Sequence, residues 1–254
     1  MNSWKPDKFK ASEIQEYLYS GKFTVPLFQR GLVWNSKQKE RLIDTIKKGL
    51  PFGTILLYYN DNNNTYQIID GLQRCNTINE FINNPTKFFM EEDIDDVTIK
   101  SIVSIIGAGG NMSRQFEIVK DILLNWIKND HKTMQSVESM QYYNFVARLK
   151  LEFPTVTGSE ERIITLIEKP LRSYKEICKN LISTEIPAII IMGSADYLPD
   201  IFERINKEGT SLTKYQIYAA SWRLDKFHIS NYRLLGLIAA NRDRYDNMLN
   251  GMIS

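Results

Sequence analysis

Three short stretches concentrate the residues able to do chemistry. In Ile68-Ile69-Asp70-Gly71-Leu72-Gln73-Arg74 a β-prone apolar run ends in a carboxylate and turns at a glycine. It then presents an amide and a guanidinium in what reads as the first turn of a helix. A helix N-terminus offers N–H groups without intrahelical acceptors and the positive end of a dipole, so Gly71-x-x-Arg74 can hold an anion with main chain and guanidinium together. Asp70 would then orient an arginine, hold a metal ion or position water. In Leu27-Phe28-Gln29-Arg30-Gly31-Leu32 the pair Gln29-Arg30 sits between apolar residues, and Arg30 supplies a fork of donors suited to phosphate or carboxylate. In Phe202-Glu203-Arg204-Ile205-Asn206, Arg204 and Asn206 share the end of a predicted helix closed by Gly209. Each stretch also has an ordinary reading, a solvated arginine or an aspartate cap. Convergence of all three on one sheet edge is what would make them a site.

The elements that must position these residues follow from the apolar pattern. Ser12 is placed to cap a helix over 13–20 with Ile14, Tyr17 and Leu18 on one face and Gly21 past its end. After an extended piece at 23–25, Asn35 or Ser36 caps a second helix with the stripe Leu42, Ile43 and Ile46, closed by Gly49 and Pro51. Stretches 54–59 and 65–70, joined by Asp61-Asn62-Asn63-Asn64, predict a hairpin, and a helix carrying Ile78, Phe81 and Ile82 follows Gly71. From 93 to 183 the period is helical, with Phe116, Val119, Leu123 and Trp126 on one face and further stripes over 137–153 and 160–182. The loop at 107–111 divides this insertion, and Pro170 should kink or split its last helix. The unbroken apolar run 186–192 predicts a buried strand returning to the hairpin's sheet. Helices are expected over 196–206, 213–227 and 232–249, and the ending 244–254 reads as an element cut before a clear stop signal. The expected fold is α/β (α+β): a small mixed sheet wrapped by helices in a single domain over 1–254. Its sheet core comes from 11–90 and 184–220, with a helical insertion at 93–183 and C-terminal helices at 213–250.

With 254 residues, 43% hydrophobic and 24% charged, the chain fits a soluble globular protein and excludes disordered and coiled-coil classes. Cys75 and Cys178 make neither a disulfide framework nor a four-ligand metal site, and His131 and His228 stand isolated. A reducing, cytoplasmic setting is expected. No window has the ~18 apolar residues of a membrane span. The net charge of +2 is far from that of a dedicated nucleic-acid binder, yet residues 1–60 carry ten Lys or Arg against five Asp or Glu. Lys47 and Lys48, with Phe28, are therefore candidate DNA contacts, while the ordinary role for the two lysines is to complement a helix dipole. Standard signatures fail. No glycine precedes Lys-Ser or Lys-Thr as a P-loop requires, and Met112 stands where a dinucleotide fingerprint needs its third glycine.

The stretches Val25-Pro26-Leu27-Phe28-Gln29-Arg30-Gly31-Leu32-Val33-Trp34, Asp70-Gly71-Leu72-Gln73-Arg74 and Phe202-Glu203-Arg204-Ile205-Asn206-Lys207-Glu208-Gly209-Thr210-Ser211 resemble, in order and spacing, a known module. It is the ParB/sulfiredoxin-like N-terminal domain of GmrSD-type, modification-dependent restriction and anti-phage defence proteins. The resemblance implies a module that binds and hydrolyses a nucleoside triphosphate, GTP or ATP with Mg2+, and so controls a nuclease effector or partner protein. Some members sense modified DNA. By position it makes Asp70, Gln73 and Arg74 the catalytic candidates, Asp70 also the metal candidate through the nucleotide, and Gln29, Arg30, Gly71, Arg204 and Asn206 the nucleotide-binding candidates. Leu72 departs from the family's Asp-Gly-Gln-Gln-Arg and removes one amide from the motif. Larger members append a histidine-metal nuclease domain, for which this chain carries neither room nor residues. Trp34 reads as a packing anchor and Cys75 as a small packed residue. The alternative is a non-catalytic DNA-binding or protein-interaction module on the same fold.

Overall fold

Alternation along Ile55, Leu57 and Tyr59, with a turn at Asn64 in the left-handed region (φ 51°), closes the expected hairpin. In the computed structural model residues 3–25, 33–107, 110–130, 141–198 and 201 are described. The hairpin strands are β3 (Ile55–Asn60) and β4 (Thr65–Asp70). Together with β1 (Ser3–Lys10), β2 (Phe23–Thr24) and β5 (Glu185–Met192) they form a five-stranded mixed sheet of order β1-β5-β3-β4-β2. β5 runs parallel to β3 and antiparallel to β1, and β2 runs parallel to β4.

The α/β expectation holds, with corrections at particular elements. The sequence reading has no counterpart to β1, whose exposed residues include Lys5, Lys8 and Lys10 and whose one buried side chain is Phe9. It is an edge strand, where Pro6 is tolerated because the outer side of the ladder needs no donor. β5 is buried on one face only: Ile186, Ala188 and Ile190 enter the core while Glu185 and Pro187 face out, so its continuous apolar run does not mark burial on both sides. Helix α1 (Ala11–Tyr19) starts before Ser12, because the Glu13 carboxylate accepts from the Lys10 N–H at 2.6 Å and closes the first turn there.

Helix α2 (Ser36–Lys47) begins as expected, with Asn35 Oδ1 accepting from the Gln38 N–H at 3.0 Å and Leu42, Ile43 and Ile46 buried. Helix α3 is Leu72–Asn83. The insertion supplies α4 (Asp96–Ile106), α5 (Met112–Asp130), α6 (Tyr142–Glu152) and α7 (Glu160–Ser183). α7 is not split at Pro170. The proline lies buried on the same stripe as Ile167, Leu171 and Tyr174, and that packing carries the helix past one missing N–H. The cores of the sheet side and the insertion join in one cluster that includes Ile43, Leu57, Phe81, Trp126 and Tyr174. Packing divides the chain into two compact units, Met1–Gly193 and Ser194–Ser254. No described helix is long and apolar enough to cross a membrane.

Candidate functional site

The strand-to-helix turn at β4–α3 is built around one glycine. Gly71 adopts φ 96°, and a Cβ there would lie 2.7 Å from Ile55 Cγ2 and 3.2 Å from Arg74 Nη2. Only glycine gives this sharp turn without strain. Gly71→Ala is therefore expected to lower the unfolding free energy by at least about 1–2 kcal/mol, from the left-handed backbone alone. A denaturant midpoint equal to that of wild type would overturn this. Just before the turn the pairing steps from Leu57 opposite Ile68 to Leu56 opposite Asp70, a bulge that aims the last residue of β4.

That residue, Asp70, meets Arg74. Arg74 Nη2 donates to Asp70 Oδ2 at 2.8 Å and to the Thr54 carbonyl at 2.9 Å. Of the two side chains Arg74 is 19% exposed and Asp70 52%. Of the roles open to Asp70 in the sequence, orienting the arginine is the one this geometry displays. Gly53, beside the guanidinium, takes φ 88°, a backbone that favours glycine, while a Cβ there would make only ordinary contact, 3.5 Å from Nη1. Arg74 Nε is buried and makes no hydrogen bond. The guanidinium is thus held from one edge by a carboxylate and a carbonyl, and it retains donor capacity elsewhere, the arrangement expected of a fork kept in place for an anion.

Gln73 is engaged with the chain itself: its Oε1 accepts from the Trp34 N–H at 3.3 Å. Trp34 is partly buried against the core, as its reading as a packing anchor expects. Leu72 belongs to the hydrophobic core, so the position where the family has its first glutamine points inward here. Cys75 is fully buried, and desolvation pushes its thiol up to about 12, which removes it from nucleophilic chemistry.

Gly53, Thr54 and the Trp34 N–H are contributors the sequence reading passed over. The signal for the first two was a glycine directly before a strand, in Pro51-Phe52-Gly53-Thr54. Phe28, Gln29, Arg30, Arg204 and Asn206 lie outside the described residues.

Both lysines named as candidate DNA contacts make ion pairs within the chain. Lys47, 6% exposed, donates to Asp93 Oδ2 at 2.7 Å and to the Phe88 carbonyl at 3.0 Å, and lies 4.8 Å from the centre of the Tyr174 ring. It presents no charge to a phosphate, which corrects its assignment as a DNA contact. Lys48 pairs with Asp44 one turn back at 2.6 Å. Among the described residues no group of three His, Cys, Asp or Glu could hold a metal ion.

A strand, a glycine turn and a helix that opens on an arginine locked by the strand's last carboxylate are the geometry on which the comparison with known proteins bears. The family model for the GmrSD restriction endonuclease, N-terminal domain, matches residues 11–222, and the chain belongs to that family. It is thereby a restriction-system domain. No curated protein matches the chain.

Proposed function

We propose that this domain binds and hydrolyses a nucleoside triphosphate, GTP or ATP, and acts as the sensor or switch that controls the nuclease of a restriction or anti-phage system. The observation that carries the reading is the Asp70–Arg74 pair at the Gly71 turn. A guanidinium fixed by internal acceptors at a helix N-terminus is prepared for phosphate, and it costs little reorganisation when the ligand arrives. Membership in the restriction family supports the setting.

In this reading Arg74 and the main chain of the Gly71 turn grip phosphate oxygens, and Asp70 orients Arg74. Mg2+ fits here as a companion of the nucleotide, because among the described residues no group of three His, Cys, Asp or Glu could hold it, and with Asp70 it would take its remaining ligands from phosphate and water. Bound that way, the ion would neutralise charge on the phosphates. DNA and a nuclease partner enter as regulators of turnover.

The test is nucleotide binding by calorimetry and phosphate release by purified protein, each with and without DNA. Arg74→Ala is expected to weaken binding of GTP or ATP by roughly tenfold to a hundredfold, the loss of one charge-assisted contact of about 1.5–3 kcal/mol. Because Asp70 is half exposed, the pair adds at most about 1 kcal/mol to stability, and the melting temperature should fall by only a few degrees. Unchanged affinity would sink the assignment. A large drop in melting temperature without loss of affinity would make the pair structural.

A further inference from the structure

We infer that Gln73 is a positioning residue, a crossbar between the N-terminal ends of α2 and α3, and does not touch the reacting atoms. The inference deepens the nucleotide reading above and rests on it for its functional half.

Two contacts fix the relation of the helices. Trp34, at the entry to α2, meets Gln73 in the first turn of α3, and Lys39 Nζ meets Glu80 Oε2 at 2.7 Å further along both. Contacts that advance in the same direction on both helices mean that α2 and α3 run parallel, with their N-terminal ends side by side. Glu80 also receives Lys87, which ties that end of α3 to the turn after it. At the site end the tie is Gln73.

The bond answers a local need. The Asn35 N–H donates to Gln38 Oε1 and the Gln38 N–H to Asn35 Oδ1, a reciprocal cap that satisfies the start of α2 itself. The Trp34 N–H precedes that cap, lies in a partly buried position and has no helical acceptor, so Gln73 Oε1 supplies one. A glutamine orienting an attacking water would offer that oxygen to it. Here it is bound to main chain, one residue before Arg74. Its effect is to hold the first turn of α3, and with it Arg74, against the entry of α2.

Two variants separate the roles. Gln73→Met keeps the length of the side chain and removes the acceptor, whereas Gln73→Glu keeps an oxygen acceptor. The readouts are hydrogen exchange at the Trp34 amide, the Kd for GTP and ATP, and kcat at saturating nucleotide. With Met, exchange at Trp34 should quicken by roughly tenfold. The nucleotide Kd should rise by about threefold to tenfold, the scale of one neutral hydrogen bond, with kcat within about twofold of wild type. With Glu, Trp34 should stay as protected as in wild type. Unchanged exchange at Trp34 in the Met variant would overturn the crossbar. A fall in kcat of about a hundredfold at unchanged Kd would overturn the positioning role, since it marks a group acting on the reacting atoms. If wild type binds neither GTP nor ATP, the nucleotide reading fails by itself, and the Trp34 exchange still decides whether the crossbar exists.

Discussion

Lys47→Ala is expected to lower the unfolding free energy by about 3–5 kcal/mol, the cost of leaving a buried carboxylate without its partner. Asp93 is 10% exposed, and its carboxylate accepts from the Lys47 ammonium at 2.7 and 3.1 Å and from the Met90 N–H at 2.8 Å. Without that ammonium the charge stays buried beside the Phe88 carbonyl, itself stripped of the same donor. Urea unfolding of wild type and variant checks the size of the effect. The double variant Lys47→Met/Asp93→Leu removes both charges and should recover most of the loss, because the penalty comes from the unpaired ion and not from the absence of the pair. Equal stability of Lys47→Ala and wild type would mean that the ammonium is solvated and free for other partners, DNA included. The pair has an architectural consequence as well: it pins the last turn of α2 to the start of the helical insertion, and Tyr174, from α7, closes over it by donating to the Pro85 carbonyl at 2.6 Å.

Asp70→Asn should keep nucleotide affinity and lose turnover by about a hundredfold or more, within the range that positioned acid–base groups contribute. Asparagine has nearly the shape of aspartate and its carbonyl oxygen can still accept from Arg74 Nη2, so the fork stays aimed. What disappears is the negative charge that now shares the guanidinium and that would order water or a nucleotide-borne ion. With that competitor gone, affinity for the phosphates should hold or tighten slightly. Phosphate release at saturating GTP and ATP, beside a calorimetric Kd, reads the two effects separately. Turnover equal to wild type would reduce Asp70 to a structural partner of Arg74 and leave a binding-only switch.

Local sequence determined a good deal of this protein. The caps and stripe of α2, the Asn-rich hairpin turn, the glycine that ends β4 and the helical period of the insertion are all written in neighbouring residues, because capping, turn chemistry and periodicity act over a few positions. The motif around Asp70 carried the family as well. Only the tertiary structure decided which groups meet. β1 exists because β5 pairs with it from the far end of the described chain, as the ion pair between Lys8 and Glu185, 177 positions apart, illustrates. Nothing near Ser3–Lys10 announces that partner. Lys47 reads as a solvated lysine at a helix end until Asp93 and Tyr174 close over it. The contact of Gln73 with the Trp34 N–H, and the hold of Thr54 and Asp70 on one nitrogen of Arg74, likewise exist only once the elements are packed together. Periodicity tells which face of an element is buried. It does not tell what lies against that face, and the partner is what turns a charged or polar side chain into a strut, a clamp or a ligand group.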